Sequence, residues 1–213
     1  DLVRSRGLGD VYKRQFLNWL VDWYNGLASL SLDNGMGEPE RTAILAIDVV
    51  NGFCYQGPLA SERVAGIVPA IVELFQAAHA RGVRHFILAE EDHPPDAVEF
   101  ESYAPHCIAG TPESETVPEL ATLPFADRLI KIGKNSIDPF IDTGLEAWIE
   151  AHPEVTTFIV VGDCTDLCTY QLAMGLRLRA NARQQREVRV IVPANGVQTY
   201  DLPVAVASGI GAT

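Results

Sequence analysis

At 213 residues the chain is long enough for one domain with a sizeable core. Its 47% hydrophobic and 21% charged residues exclude a disordered or collagen-like chain. Sixteen Lys and Arg against twenty-eight Asp and Glu give a net charge of −12, which repels a phosphate backbone. No apolar run reaches the ~18 residues of a membrane span, so the expected protein is soluble, with neither nucleic acid nor membrane as partner.

Residues 1–15, DLVRSRGLGDVYKRQ, show neither apolar periodicity nor a signal-peptide pattern. Asp10 to Gln15 resembles the in-frame translation of an adapter used in transposon-based sequencing libraries, so residues 1–15 read as a non-native leader and residues 16–213 as a single domain. From Phe16 to Leu30, apolar residues at spacings of three and four predict an amphipathic helix strapped to the outside of that domain.

From Thr42 onward, short β-branched runs alternate with helix-period segments, the pattern of repeated βαβ units and a parallel sheet between helical layers. The expected strands are Thr42 to Asp48, Val83 to Glu90, Arg128 to Ile132, Thr156 to Val161 and Val188 to Val192. Ser61 to Arg81 reads as one helix, with Ser61 as its cap and Gly82 as its stop. Thr143 to Ala151 and Cys168 to about Asn181 read as later helices, and Pro203 to Ile210 is helix-like. The stretch Glu91 to Phe125 is either a surface excursion or an active-site wall.

Ligands of open parallel sheets collect at the carboxyl ends of the strands. There the chain places Asp48 at the end of the first strand, Lys134 just past the third, and Cys168 at the start of the helix after the fourth. Singly, Asp48 reads as a turn cap, Lys134 as a solvated lysine and Cys168 as a small buried hydrophobe. Together they compose a device: a thiol at a helix N-terminus, favoured as thiolate, with a carboxylate to take and return its proton. No G-x-S-x-G, G-x-G-x-x-G or P-loop accompanies them, and C-x3-C at Cys164 and Cys168 is poor zinc spacing. The four cysteines, Cys54, Cys107, Cys164 and Cys168, read as reduced thiols, implying a cytoplasmic protein.

The segments AILAIDVVNGFC (Ala43 to Cys54), KNSIDPFIDTGL (Lys134 to Leu145) and GDCTDLC (Gly162 to Cys168) resemble the isochorismatase-like cysteine hydrolases. PHCIAGT (Pro105 to Thr111) resembles their nicotinamidase branch. The resemblance implies a three-layer α/β fold with a mainly parallel sheet and an Asp/Lys/Cys triad on Asp48, Lys134 and Cys168, with Lys131 as the rival lysine. It also implies a cis peptide at Asp163–Cys164 and an oxyanion hole from the N–H groups of Cys164 and Cys168. The implied activity is hydrolysis of a small amide, nicotinamide foremost, through a thioester, in a pocket walled by Phe53 and Tyr103. The alternatives are another small amide, an isochorismatase-type reaction, whose enzymes lack the cysteine, or a non-catalytic binding protein.

Nicotinamidases carry a D-x-H-x-x-x-H metal motif, against which EDHPPDA (Glu91 to Ala97) keeps only Glu91 and His93. A zinc-like ion would have an incomplete ligand set, so no metal ligand is assigned and no cofactor is required. The resemblance further implies a homo-oligomer, and a last strand and helix beyond Thr213.

Overall fold

The computed structural model describes residues 2–200 and Ala205, with residues 2–10 as backbone alone. Apart from Ala205, the helix-like Pro203 to Ile210 lies outside the described residues, as do Gly211 to Thr213 and the expected loss of a last strand and helix. The chain divides into two compact units, Asp1–Gly35 and Met36–Thr213.

In the first unit a helix spans Leu2–Asn25 and one further turn Leu32–Gly35. It takes in nearly all of the stretch without apolar periodicity. Phe16, Leu17, Trp19, Val21 and Trp23 stand exposed on it. Periodicity specifies the helix; it does not specify what covers the apolar face.

The second unit is built on five parallel strands: β1 Thr42–Ile47, β2 His85–Glu91, β3 Ile130–Lys134, β4 Thr157–Gly162 and β5 Arg189–Ile191. Their order is β3-β2-β1-β4-β5. Every residue of β1 and β4 is buried, as expected for central strands covered on both faces. On one face Leu45, Ile47, Ile87, Ala89 and Val160 pack with Leu145 and Ile149 of the helix Leu145–Ala151, and with Leu172 and Leu176 of the helix Cys168–Ala182. On the other, Phe86 meets Phe75 and Phe125 at ring-centroid distances of 5.1 and 5.2 Å.

The helix expected over Ser61 to Arg81 is two, Glu62–Ala65 and Val68–Ala80. Ser61 does cap the first by accepting from the Arg63 N–H, and Gly82 adopts φ +103 after the second. The break falls at Gly66 and Ile67, just before Pro69, whose ring and missing N–H are tolerated in a first helical turn and not in a helix interior.

After β1 the chain builds outward through β2 and β3, then returns to place β4 on the other side of β1. This reversal opens a crevice beyond the carboxyl ends of β1 and β4, where doubly wound sheets bind ligands. Gly162 ends β4 with φ +118, and any Cβ there would collide with the Ile47 backbone. Only glycine lets the two strand ends approach this closely.

Candidate active site

Asp48 follows β1 with φ +56, a left-handed conformation that interrupts the strand's alternation. Its N–H donates to the Ala89 carbonyl at 2.8 Å, and its Oδ1 accepts the Glu91 N–H at 3.0 Å. Glu91 and Lys134 are register partners at the ends of β2 and β3. Both continue the face that carries Ile87, Ala89 and Ile132 toward the Cys168–Ala182 helix.

Lys134 Nζ lies 2.9 Å from Glu91 Oε1, 2.9 Å from Asp48 Oδ2 and 3.7 Å from Cys168 Sγ. Asp48 and Lys134 each favour the other's charged form across this contact. Acidic oxygens of Asp48 and Glu91 and the Cys168 sulfur all lie within 4.8 Å of one another. The rival Lys131 points to the opposite face, toward Glu90 at 3.8 Å and Thr116, with its side chain 57% exposed against 0% for Lys134. Three residues apart on a strand, the two lysines cannot share a face.

Burial pushes Asp48 up to about 7, against the pull of Lys134. Burial, then the Asp48 charge, also pushes the Cys168 thiol up, with only Lys134 pulling it down. Burial and the Asp48 charge thus oppose the thiolate that a helix N-terminus favours. Burial opposes the Lys134 charge, but Asp48 and Glu91 together hold the ammonium above its ordinary range. Glu91 is drawn below the usual carboxylate range: burial raises it, and His106, His93 and Lys134 more than reverse that.

Cys168 is the first residue of its helix, so its N–H is among the donors that helix leaves unpaired. The Asp163–Cys164 peptide is cis. A cavity of about 120 Å³, sized for a small molecule, is lined by Asp48, Glu91 and Cys168, with Phe53 and Tyr103 both on its wall. The stretch Glu91 to Phe125 supplies Glu99, Tyr103 and His106 to it and is thus a wall of the cavity. A larger cavity of about 240 Å³ lies beside the helix Leu145–Ala151. Its Arg179 and Arg183 are paired with Glu146 and Glu150, and it contains no nucleophile.

One reading needs correction. The ligand set is not limited to Glu91 and His93: ligand atoms of Glu91, His93, Glu99 and His106 lie within 4.8 Å of one another. The N–H groups of His93 and Ala109 bond the carbonyls of Cys107 and His93, drawing the PHCIAGT segment alongside. His106 Nδ1 faces the Ala104 carbonyl at 2.8 Å, and His93 Nδ1 faces Asn135 Oδ1 at 2.6 Å. With the Nδ1 positions donating, both Nε2 atoms face Glu91 Oε2, at 2.8 and 3.1 Å, and, against burial, Glu91 raises both imidazoles toward the protonated form that donates to it. The positive charge there is carried by the ring protons or by a metal in their place, and two imidazoles with two carboxylates are a donor set that fits a divalent cation. His106 was visible in its motif; for Glu99 the sequence offers no spacing signal.

A buried thiol, a carboxyl and an ammonium at the switch point of a doubly wound sheet define a class of cysteine-bearing α/β folds. The Isochorismatase domain family matches residues 42–204, and the chain belongs to the isochorismatase family, on its nicotinamidase branch. Nicotinamidase 1 of Arabidopsis thaliana is 33% identical over 191 residues, 82% of this chain and 76% of the relative. In fold the chain is similar to N-carbamoylsarcosine amidase of Thermoplasma acidophilum, with a TM-score of 0.63 and 22% identity over 76% of this chain and 87% of that one. It is also similar to the pyrazinamidase of Pyrococcus horikoshii in complex with zinc, with a TM-score of 0.63 and 19% identity over 80% and 93%.

Proposed function

We propose that the chain is a cysteine-dependent amidohydrolase that converts nicotinamide to nicotinate and ammonia. Similarity to the nicotinamidases supports the amide C–N bond and this substrate. The observation that carries the reading is Lys134, held between Asp48 and Glu91 beside the Cys168 sulfur.

Asp48 takes the Cys168 thiol proton as the sulfur attacks the amide carbon. The N–H groups of Cys164 and Cys168 receive the oxyanion. Asp48 returns the proton to the nitrogen, ammonia leaves, and a thioester remains. Asp48 then takes a proton from water, the hydroxide attacks the thioester, and the departing sulfur recovers that proton. Lys134 keeps the neighbouring anions in place, while Phe53 and Tyr103 hold the ring. Glu91, His93, Glu99 and His106 would hold a divalent cation, which when bound would orient and polarise a substrate heteroatom.

Ammonia release from nicotinamide tests the reading, together with mass spectrometry of the quenched enzyme for an acyl adduct at Cys168. Turnover that survives Cys168→Ala overturns it.

A further inference from the structure

Glu113 lies outside the cavity of Cys168 and outside the ligand cluster, and the reaction above does not use it. It faces a separate cavity of about 250 Å³, beside Gln56, Gly57 and Pro105. Its Oε2 nonetheless accepts the Cys107 N–H at 3.1 Å. Cys107 is fully buried and holds φ +44, a left-handed conformation that a non-glycine residue keeps only where its surroundings impose it. Three contacts impose it here. Glu113 holds the N–H, the carbonyl accepts the His93 N–H at 3.0 Å, and the sulfur packs so closely on Gly52 that a Cβ there would stand 2.5 Å from it. The Glu113 segment is itself anchored, because the Asn51 N–H donates to the Glu115 carbonyl at 2.9 Å and Asn51 Nδ2 to the Pro112 carbonyl at 3.0 Å. Its carboxyl group is fitted against Gly57, where a Cβ would stand 2.6 Å from the carboxyl carbon.

The Cys107 N–H belongs to the peptide that joins it to His106. Fixing that peptide fixes the backbone from which His106 Nε2 reaches Glu91 Oε2 at 2.8 Å, and the Cys107 carbonyl fixes the backbone of His93. One turn thus sets the approach of both imidazoles. Resting on the cation-site reading above, we propose that Glu113 is a positioning residue of that site: by holding Cys107 in its left-handed turn it places His106 and His93 for a divalent cation. Without an acceptor the buried N–H is left unmet, and the turn relaxes toward ordinary backbone and carries His106 with it.

The test is zinc affinity in competition with a chromophoric chelator, with the visible spectrum of the cobalt-loaded protein as a report on ligand geometry. Glu113→Ala is expected to weaken zinc about tenfold or more, the range for groups that orient ligands without touching the metal, and to alter the cobalt bands. Glu113→Gln, neutral yet still an acceptor, is expected to keep most of the affinity and the wild-type bands, an outcome that the Glu113 charge alone would not give. Should Glu113→Ala fail to fold, Glu113→Asp gives the same reading, since it keeps the charge and shortens the reach. Unchanged affinity and bands in Glu113→Ala or, in its place, Glu113→Asp overturn the positioning role and leave the cation site standing. A loss in Glu113→Gln as large as in the shortened variants does the same. Wild-type protein that takes up neither zinc nor cobalt overturns the cation-site reading and this role with it.

Discussion

Glu91 and Lys134 are cross-strand partners whose side chains meet at 2.9 Å, and the other Glu91 oxygen faces His93 and His106. One carboxylate thus joins the ammonium beside the sulfur to the cluster of candidate metal ligands. Charge at either end is felt at the other through a single side chain.

The acid limb of the reaction is expected near neutrality. Asp48 sits at about 7; below that pH it is protonated and cannot take the thiol proton, and above it the carboxylate is the base. kcat/KM should therefore rise with pH through about 7. Glu91 is among the charges raising Asp48, so Glu91→Gln should move the limb to lower pH. A pH–rate profile from pH 5 to 9 checks both, and a limb unmoved by Glu91→Gln contradicts the coupling.

Lys134→Met removes the cation between two buried carboxylates. Breaking a buried ion pair in this way costs about 3–5 kcal/mol, and activity should fall on the order of 100-fold or more. Lys131→Met, on the opposite face and largely exposed, should cost less than about 1 kcal/mol. Urea denaturation of the two variants side by side measures the contrast. Equal losses would mean that burial does not distinguish these lysines.

Metal content is expected at about one divalent ion per chain if four groups converge as described. His106→Ala and Glu99→Gln should each weaken zinc at least about tenfold in competition with a chromophoric chelator. Unchanged affinity in both would show that the cluster holds no ion.

Gly162→Ala should destabilise the fold, since its Cβ would meet the Ile47 backbone and its φ is +118. A loss of about 2 kcal/mol or more is expected, in the range of overpacking and forced left-handed backbone. Thermal melts of the variant against wild type read it directly.

The five strands were legible because central parallel strands, buried on both faces, are written as continuous apolar runs such as Ala43 to Ile47 and Phe158 to Val161. Asp48, Lys134 and Cys168 stood out because each ends, follows or begins an element at the carboxyl edge of that sheet. The helical break before Pro69 was less legible, since the apolar stripe of Ser61 to Arg81 runs through it without interruption.

Local order along the chain therefore determined the strands and the three residues at their carboxyl edge, whereas the order of the strands, and with it the switch point, came from the tertiary structure. Tertiary structure alone decided which lysine faces inward, because that depends on strand pleat and register. It also decided that Glu91, Glu99 and His106 meet, because their approach runs through a loop whose hydrogen bonds join His93 to Cys107 and Ala109. Spacing in sequence carries no measure of such a distance. The surroundings of Cys168 came the same way: the helix terminus visible in sequence favours thiolate, and burial beside Asp48, a property of packing, opposes it.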